Sequence, residues 1–271
     1  MSYKFLMKQG NRGQEVARLQ NALCIDSDGI FGSKTKEAVQ AYQKAQGLAV
    51  DGIAGPDTLS RLDIPVQMGI DVSKWNKSPN WDKVVEDGVK FAYVKMSEGR
   101  TYVSERKGEI DSARCAGLAV GAYHFARPDT DPSGHDAVAE AHHFLETYNA
   151  RPNDMRPVLD MEKGLKQDDN YNLEWAWKFC DIVEANIGKR PIIYTARWYV
   201  QAYFERGDAD LVARLGTEDL WWAEYDDEQS KKLAPWSEWL MWQFTGSGTI
   251  NGVEGNCDVN WCAGGRMKDL F

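Results

Sequence analysis

The sequence predicts an α/β protein in two parts: a small three-helix domain over residues 1–65, then an irregular TIM-like barrel over residues 66–271. Three observations carry this. A turn motif is duplicated near the N-terminus; eight short apolar runs follow from Gln67 onward; and the stretches between the earlier runs suit helices while those between the last ones do not. At 271 residues the chain is long for one minimal domain and short for three, so one large and one small domain fit it.

The duplicated motif is Asp28-Gly29-Ile30-Phe31-Gly32 with Thr35, and Asp51-Gly52-Ile53-Ala54-Gly55 with Thr58. Asp-Gly supplies a tight turn with positive φ, and Ser33, Thr35, Asp57 and Thr58 are residue types that accept hydrogen bonds from the first free amides of a helix. Around these turns Val16, Leu19 and Leu23 make one helical stripe, and Ala38, Val39 and Tyr42 another. Short amphipathic helices need mutual packing, so a bundle of about three helices is expected. It ends near Leu62, with Asp63-Ile64-Pro65-Val66 as connector, because the residue before proline favours extended backbone.

The apolar runs are MGIDVS, FAYVKMSEG, AVGAYHFA, RPVLDME, PIIYTA, LWWAEYD, LMWQFT and GNCDVNW. Continuous apolar strands argue for a sheet buried on both faces. Helical faces lie between the earlier runs, most clearly over His135 to Tyr148, where Ala137, Ala141, Phe144, Leu145 and Tyr148 align, and over Leu173 to Ile187. After Trp222 the gaps are short and rich in turn residues, so the expectation is about five β/α units closed by three simpler strands.

Composition narrows the function. No run approaches the roughly 20 apolar residues of a membrane span, and the first residues hold no apolar secretory core, so synthesis and retention in the cytoplasm are expected. The net charge is -9, with eight Lys or Arg against seven Asp or Glu in residues 1–65, which places -10 on the remainder. Without a basic run, nucleic-acid binding is disfavoured. Five scattered cysteines suit reduced thiols; Cys257 and Cys262 are near enough in sequence to be considered as a pair. The four histidines form no HExxH, there is no CxxC, no GxSxG and no phosphate-binding glycine loop, so no metal or other cofactor is expected.

The chemistry is expected where Val158-Leu159 runs into Asp160, Met161 and Glu162 before a glycine turn. Period two places both carboxylates on one side of a strand, and barrel enzymes keep catalytic groups at such strand ends. Repulsion raises one pKa, so that one acid is protonated and able to donate to a glycosidic oxygen while the other stays ionised. Asp226-x-Glu228 has the same spacing but sits in a charged stretch that reads as a solvated loop. Asp71 and Asp258 end other strands, as do Tyr123, His124, Tyr194, Trp222, Trp242 and Gln243; each has an alternative reading as a cap or as core. Trp75, Trp81 and Trp239 are expected to pack.

These residues carry two resemblances. Gly13-x-x-Val16-x-x-Leu19-Gln20-x-x-Leu23, both Asp-Gly turns and Ala38-Val39-x-x-Tyr42-Gln43 resemble the three-helix peptidoglycan-binding domain. GIDVSKWN, FAYVKMSEG, VGAYHFARP, PVLDMEKG, PIIYTARW, LWWAEYD and WQFTGSGTINGVEGNCDVNW, in that order, resemble glycoside hydrolase family 25 lysozymes. That resemblance implies a (β/α)5β3 barrel that hydrolyses the β-1,4 bond between N-acetylmuramic acid and N-acetylglucosamine without a metal. It further implies Glu162 as general acid, Asp160 assisting through the substrate's acetamido group, and Asp71 and Asp258 on the cleft floor. Tyr123, Tyr194, Trp222, Gln243 and Glu98 are expected substrate contacts. Departures from the family pattern fall at Met96, Ser104 and Glu224, and are expected to touch substrate contacts. Together the two parts resemble a bacteriophage endolysin, expected as a monomer that acts on bacterial peptidoglycan after release from the host cytoplasm. The competing expectations are a non-catalytic wall-binding protein and an acetamido-sugar glycosidase of different specificity.

Overall fold

The structure is a computed structural model that describes residues 3–131, 133, 136–165, 169–225 and 233–271. His135 and the Asp226-x-Glu228 pair of the sequence argument lie outside the described residues.

The N-terminal part contains α1 (Gln14–Ala22), α2 (Ser33–Ala45) and α3 (Pro56–Arg61). Gly29 and Gly52 have φ of 67° and 73°, as an Asp-Gly turn requires. The capping expectation is corrected: Gly32 and Gly55 stand at the helix caps, and no side chain caps either helix. Thr35 and Thr58 serve a different bond. The amide of Gln20 donates to Asp28 Oδ1 (2.7 Å), the Ile30 carbonyl (3.1 Å) and Thr35 Oγ1 (3.0 Å), while Gly29 N donates back to its Oε1 at 2.8 Å. Gln43 repeats the pattern with Asp51, Ile53, Thr58 and Gly52. The buried stripe of α2 is therefore Thr35, Val39 and Gln43. Its polar members are tolerated because their hydrogen bonds are satisfied internally.

The remainder is a closed barrel. Its strands are β1 (Gln67–Val72), β2 (Phe91–Glu98), β4 (Ala119–Phe125), β5 (Val158–Asp160), β6 (Ile192–Ala196), β7 (Leu220–Ala223), β8 (Met241–Gly248) and β9 (Cys257–Cys262); β3 (Tyr102–Val103) adds a short hairpin to β2. A β1–β2 pairing closes the circle. Helices α4 (Trp81–Glu86), α5 (Glu109–Cys115), α6 (Asp136–Thr147), α7 (Tyr171–Ile187) and the pair α8 (Arg197–Tyr203) and α9 (Ala209–Leu215) fill the first five crossovers. Neighbours from β1 round to β8 are parallel, whereas β9 runs antiparallel to both β8 and β1. This is the five-unit, three-strand architecture expected from the spacing.

Alternation sorts the strand residues into two sets. Phe91, Tyr93, Tyr123, Val158, Ile192, Tyr194, Trp221, Met241 and Cys262 fill the barrel interior, and Leu270 of the C-terminal turn is buried with them. Ile70, Val72, Ala92, Val94, Leu159, Met161, Ile193, Trp222 and Trp242 face the outer layer. Two inward positions must be glycine. A Cβ at Gly69 would lie 2.2 Å from the Phe91 ring, and one at Gly121 would lie 2.3 Å from the Tyr93 ring. Cys257 and Cys262 are free and buried on the same strand, with 257 in the outer set and 262 in the inner one. Five residues of extended strand separate them by about 16 Å, so they do not pair.

The helical part and the barrel share one continuous outer core. Phe5 meets Trp261 edge-on, Tyr3 meets Phe244, and Gln14 makes two bonds to the Trp239 backbone, donating to its carbonyl (2.8 Å) and accepting from its N–H (2.7 Å). Glu15 is buried at this junction, where its Oε2 accepts from Gly264 N.

Candidate active site

A cavity of about 180 Å³ opens where the parallel strands end and β9 begins, which is the end at which a barrel gathers its loops. Inward residues of successive strands line it: Asp71 from β1, Lys95 from β2, Tyr123 and Phe125 from β4, Val158 and Asp160 from β5, Tyr194 from β6, Gln243 from β8 and Asp258 from β9. Glu162, two residues beyond Asp160, reaches the same space while Met161 between them packs outward. Asp258 belongs here because β9 is reversed, so its first residues sit beside the last residues of β1; Asp71 and Asp258 are register partners.

Hydrogen bonds fix the floor. Asp71 Oδ2 accepts from Gln243 Nε2 (3.0 Å) and Asn260 Nδ2 (2.8 Å); the side-chain Oδ1 of Asn260 accepts from the Trp221 indole (2.9 Å). Gln243 Oε1 accepts from the hydroxyls of Tyr194 (2.8 Å) and Tyr225 (2.9 Å). The amide orientation of Gln243 is thus set from both ends. Lys95 is held by Glu98 at 2.7 Å and lies 4.3 Å over the Phe125 ring.

Four acids share this enclosure, and all four are shifted toward the protonated form. Burial raises Asp71 to about 6 against the hydrogen bonds it accepts, with the charge of Glu162 adding to the rise. Burial and then the charges of Asp71 and Glu162 raise Asp258 to about 8. Asp160 is raised well above the carboxylate range by burial and by Glu162, with Lys95 opposing. Burial also raises Glu162, against Tyr194, Lys95 and Lys163, which favour its ionised form. Neighbouring carboxylates in low dielectric cannot all ionise at neutral pH, so the cluster holds protons there. Asp160 Oδ1 is buried and receives no hydrogen bond from the described residues.

A sequence model of glycosyl hydrolases family 25 matches residues 70–253, and one of a peptidoglycan binding domain matches residues 12–62. The chain belongs to glycosyl hydrolases family 25. Lysozyme M1 of Streptomyces globisporus is 31% identical over 230 residues, covering 80% of this chain and 75% of that protein. The autolytic lysozyme of Clostridium acetobutylicum is 31% identical over 193 residues, covering 71% of this chain and 54% of that protein. Among solved structures, the bacterial lysozyme from Streptomyces coelicolor superposes with a TM-score of 0.65 at 26% identity, over 75% of this chain and 94% of that one.

In this family 25 hydrolase the cavity brings together Asp71, Asp160, Glu162, Asp258, Tyr123, Tyr194 and Gln243 from the sequence argument. Trp222 is elsewhere: it faces outward, is buried in the outer core, and its indole donates to Glu224. His124 and Trp242 face outward too. His124 is sealed between Ser97 and Glu140, and Trp242 donates to the Glu224 carbonyl. Glu98 stands one step back, as the partner of Lys95 and Arg127. Met96 is buried in the outer core, Ser104 is buried and bonded to Met96 and Arg106, and Glu224 pairs with Arg197. None of these three lines the cavity; Glu224 touches two of the expected contacts, its N–H donating to the Gln243 carbonyl and its carboxylate accepting from the Trp222 indole.

Trp81 and Trp239 are buried as expected, but Trp75 is 85% exposed and lines the cavity mouth. Ser73, Lys95, Phe125, Trp221 and Tyr225 also line the cavity, though their sequence context does not single them out. Inward parity from Asp160 through the register partners Tyr194 and Trp221 would have found Trp221.

Proposed function

We propose that this enzyme is a muramidase that hydrolyses the β-1,4 bond between N-acetylmuramic acid and N-acetylglucosamine in bacterial peptidoglycan, with Glu162 as general acid and Asp160 as its assisting carboxylate. The reading rests on the two acids sharing one cavity, where they cannot both be ionised at neutral pH, and on the buried Oδ1 of Asp160, which receives no hydrogen bond from the described residues. Protonated Glu162 donates to the glycosidic oxygen as the bond to C1 breaks. The 2-acetamido carbonyl oxygen closes on C1, and its N–H donates to Asp160, which supplies the missing partner and stabilises the positive ring. Water then opens that ring at C1 as Glu162, now ionised, accepts its proton. Asp71, Asp258, Tyr123, Tyr194 and Gln243 shape the floor around these two groups.

Residues 1–65 form the wall-binding domain in this reading and residues 66–271 the catalytic one. Their combination suits an endolysin-type enzyme that acts as a monomer on the wall once host lysis releases it from the cytoplasm. Replacement of Glu162 by Gln tests the assignment. The variant should keep the urea-unfolding midpoint within a small margin of the parent and lose about 10² to 10⁴ in turnover; a folded variant of near-normal activity would contradict it.

A further inference from the structure

The turn between β1 and α4 presents a tryptophan to solvent and holds it there. Asn76 is buried; its Oδ1 accepts from Ser73 N (3.0 Å), its own N–H donates to the Ser73 carbonyl (3.1 Å), and its amide donates to the Asn256 carbonyl (3.1 Å). Ser73 Oγ accepts from Trp75 N at 3.4 Å. The backbone is therefore tied on both sides of an indole that stays 85% exposed at the rim of the acidic cavity. An exposed ring of this size in a pinned turn adds nothing to the core, and it borders the space where substrate must enter.

The charge at this rim is opposite to that of the floor. Lys74 Nζ lies 5.0 Å from the Trp75 ring centroid and 5.3 Å from that of Tyr102, while Lys95 Nζ lies 5.8 Å from the same Tyr102 centroid. The Tyr102 hydroxyl donates to Glu105 at 2.6 Å, which anchors the ring to the loop after β3. The described residues give Lys74 no ion pair, only the two rings and the longer-range field of Glu105.

We propose that Lys74, Trp75 and Tyr102 form a cation–aromatic platform that reads the glycan beside the scissile bond, Trp75 stacking on a sugar ring while Lys74 takes a carboxylate carried by a muramic acid. The inference rests on the muramidase reading and adds a specificity to it: the enzyme prefers strands whose muramic residues bear a carboxylate. Aromatic faces suit the C–H face of a pyranose, and an ammonium fixed by two rings is already ordered before the anion arrives. That carboxylate belongs either to the lactyl group itself or to the stem peptide attached to it.

The test uses the full chain and three soluble glycan strands: one with stem peptides, one stripped of them by an amidase so that lactyl carboxylates are free, and one stripped and then amidated with methylamine. New reducing ends give kcat and KM. Trp75→Ala should raise KM on all three strands by about three- to tenfold with kcat little changed. Lys74→Gln should raise KM about two- to fivefold on carboxylate-bearing strands and leave the amidated strand unaffected, with Lys74→Arg restoring most of the loss. A Lys74→Gln effect confined to the peptide-bearing strand, whose lactyl carboxyl is tied up as an amide, assigns the carboxylate to the peptide; one confined to the stripped strand assigns it to the lactyl group; and one on both shows that Lys74 takes either. An equal effect on the amidated strand, or a Trp75→Ala effect on kcat instead of KM, overturns the platform. Glu162→Gln loses kcat on every strand, so the two readings fail differently; an unaltered protein that cleaves none of the three overturns both.

Discussion

Asp71 is held in the cavity at a cost to the fold that can be measured. Burial moves it from an ordinary 3.8 to about 6 even though Gln243 and Asn260 both donate to Oδ2. Well below pH 3.8 the carboxyl is protonated in the folded and unfolded chains alike and contributes nothing. As pH rises the unfolded chain ionises first, so the native state loses relative stability until the folded carboxyl also ionises near pH 6. At about 1.4 kcal/mol for each pH unit between the two values, the loss above pH 6 amounts to about 3 kcal/mol. Asparagine keeps an oxygen for both donors and removes the charge. Asp71→Asn should therefore match the parent at pH 4 and exceed it by about 2–3 kcal/mol at pH 8, or roughly 5 °C in Tm for a chain of this size. Urea unfolding at pH 4, 6 and 8 reads the difference, alongside hydrolysis, which should fall. A variant no better stabilised at pH 8 than at pH 4 would refute the argument that the floor acids are kept for chemistry at the expense of stability.

Other expectations follow from the same geometry. Lys95 favours the ionised forms of Asp160 and Glu162, so Lys95→Met should move both limbs of the pH profile of kcat/KM to higher pH; an unmoved profile would separate Lys95 from the acid pair. Gly121→Ala drives a methyl into the Tyr93 ring and should lower stability by about 1–3 kcal/mol or more, read from the urea midpoint. Gln14→Ala strands the N–H and carbonyl of Trp239 and should remove about 2–4 kcal/mol within a single unfolding transition; a separate early transition would mean that the helices unfold independently. Deleting residues 1–65 uncovers Trp239, Phe244 and Trp261, so the remaining barrel should cleave short soluble strands with a lower unfolding midpoint and bind whole wall more weakly.

Much of this architecture was legible because each strand is a continuous apolar run and each crossover helix has its own buried face. Asp160 and Glu162 could be placed together because two residues of strand leave little freedom. Parity across strands was harder: Tyr123 and His124, Trp221 and Trp222, and Trp242 and Gln243 are adjacent pairs of which one member must face inward, and only the register chooses it. That is why Trp222 reads as a cleft residue in sequence and is core in the structure. Gln20 and Gln43 were invisible for a different reason. Glutamine on a helix looks solvated unless the turn eight or nine residues later is known to return its hydrogen bonds. Trp75 misled in the opposite direction, since large aromatics are usually buried and the tie that keeps this one exposed comes from Asn76 and from Asn256, 180 residues away.

Mass spectrometry of borohydride-reduced products from purified peptidoglycan, comparing the unaltered protein with Glu162→Gln, decides whether Glu162 in this cavity cleaves the muramic acid to glucosamine bond. Fragments ending in reduced N-acetylmuramic acid should form with the unaltered protein and be absent with the variant. Reduced N-acetylglucosamine ends, freed peptides, or undiminished muramic ends from a folded Glu162→Gln protein would contradict it.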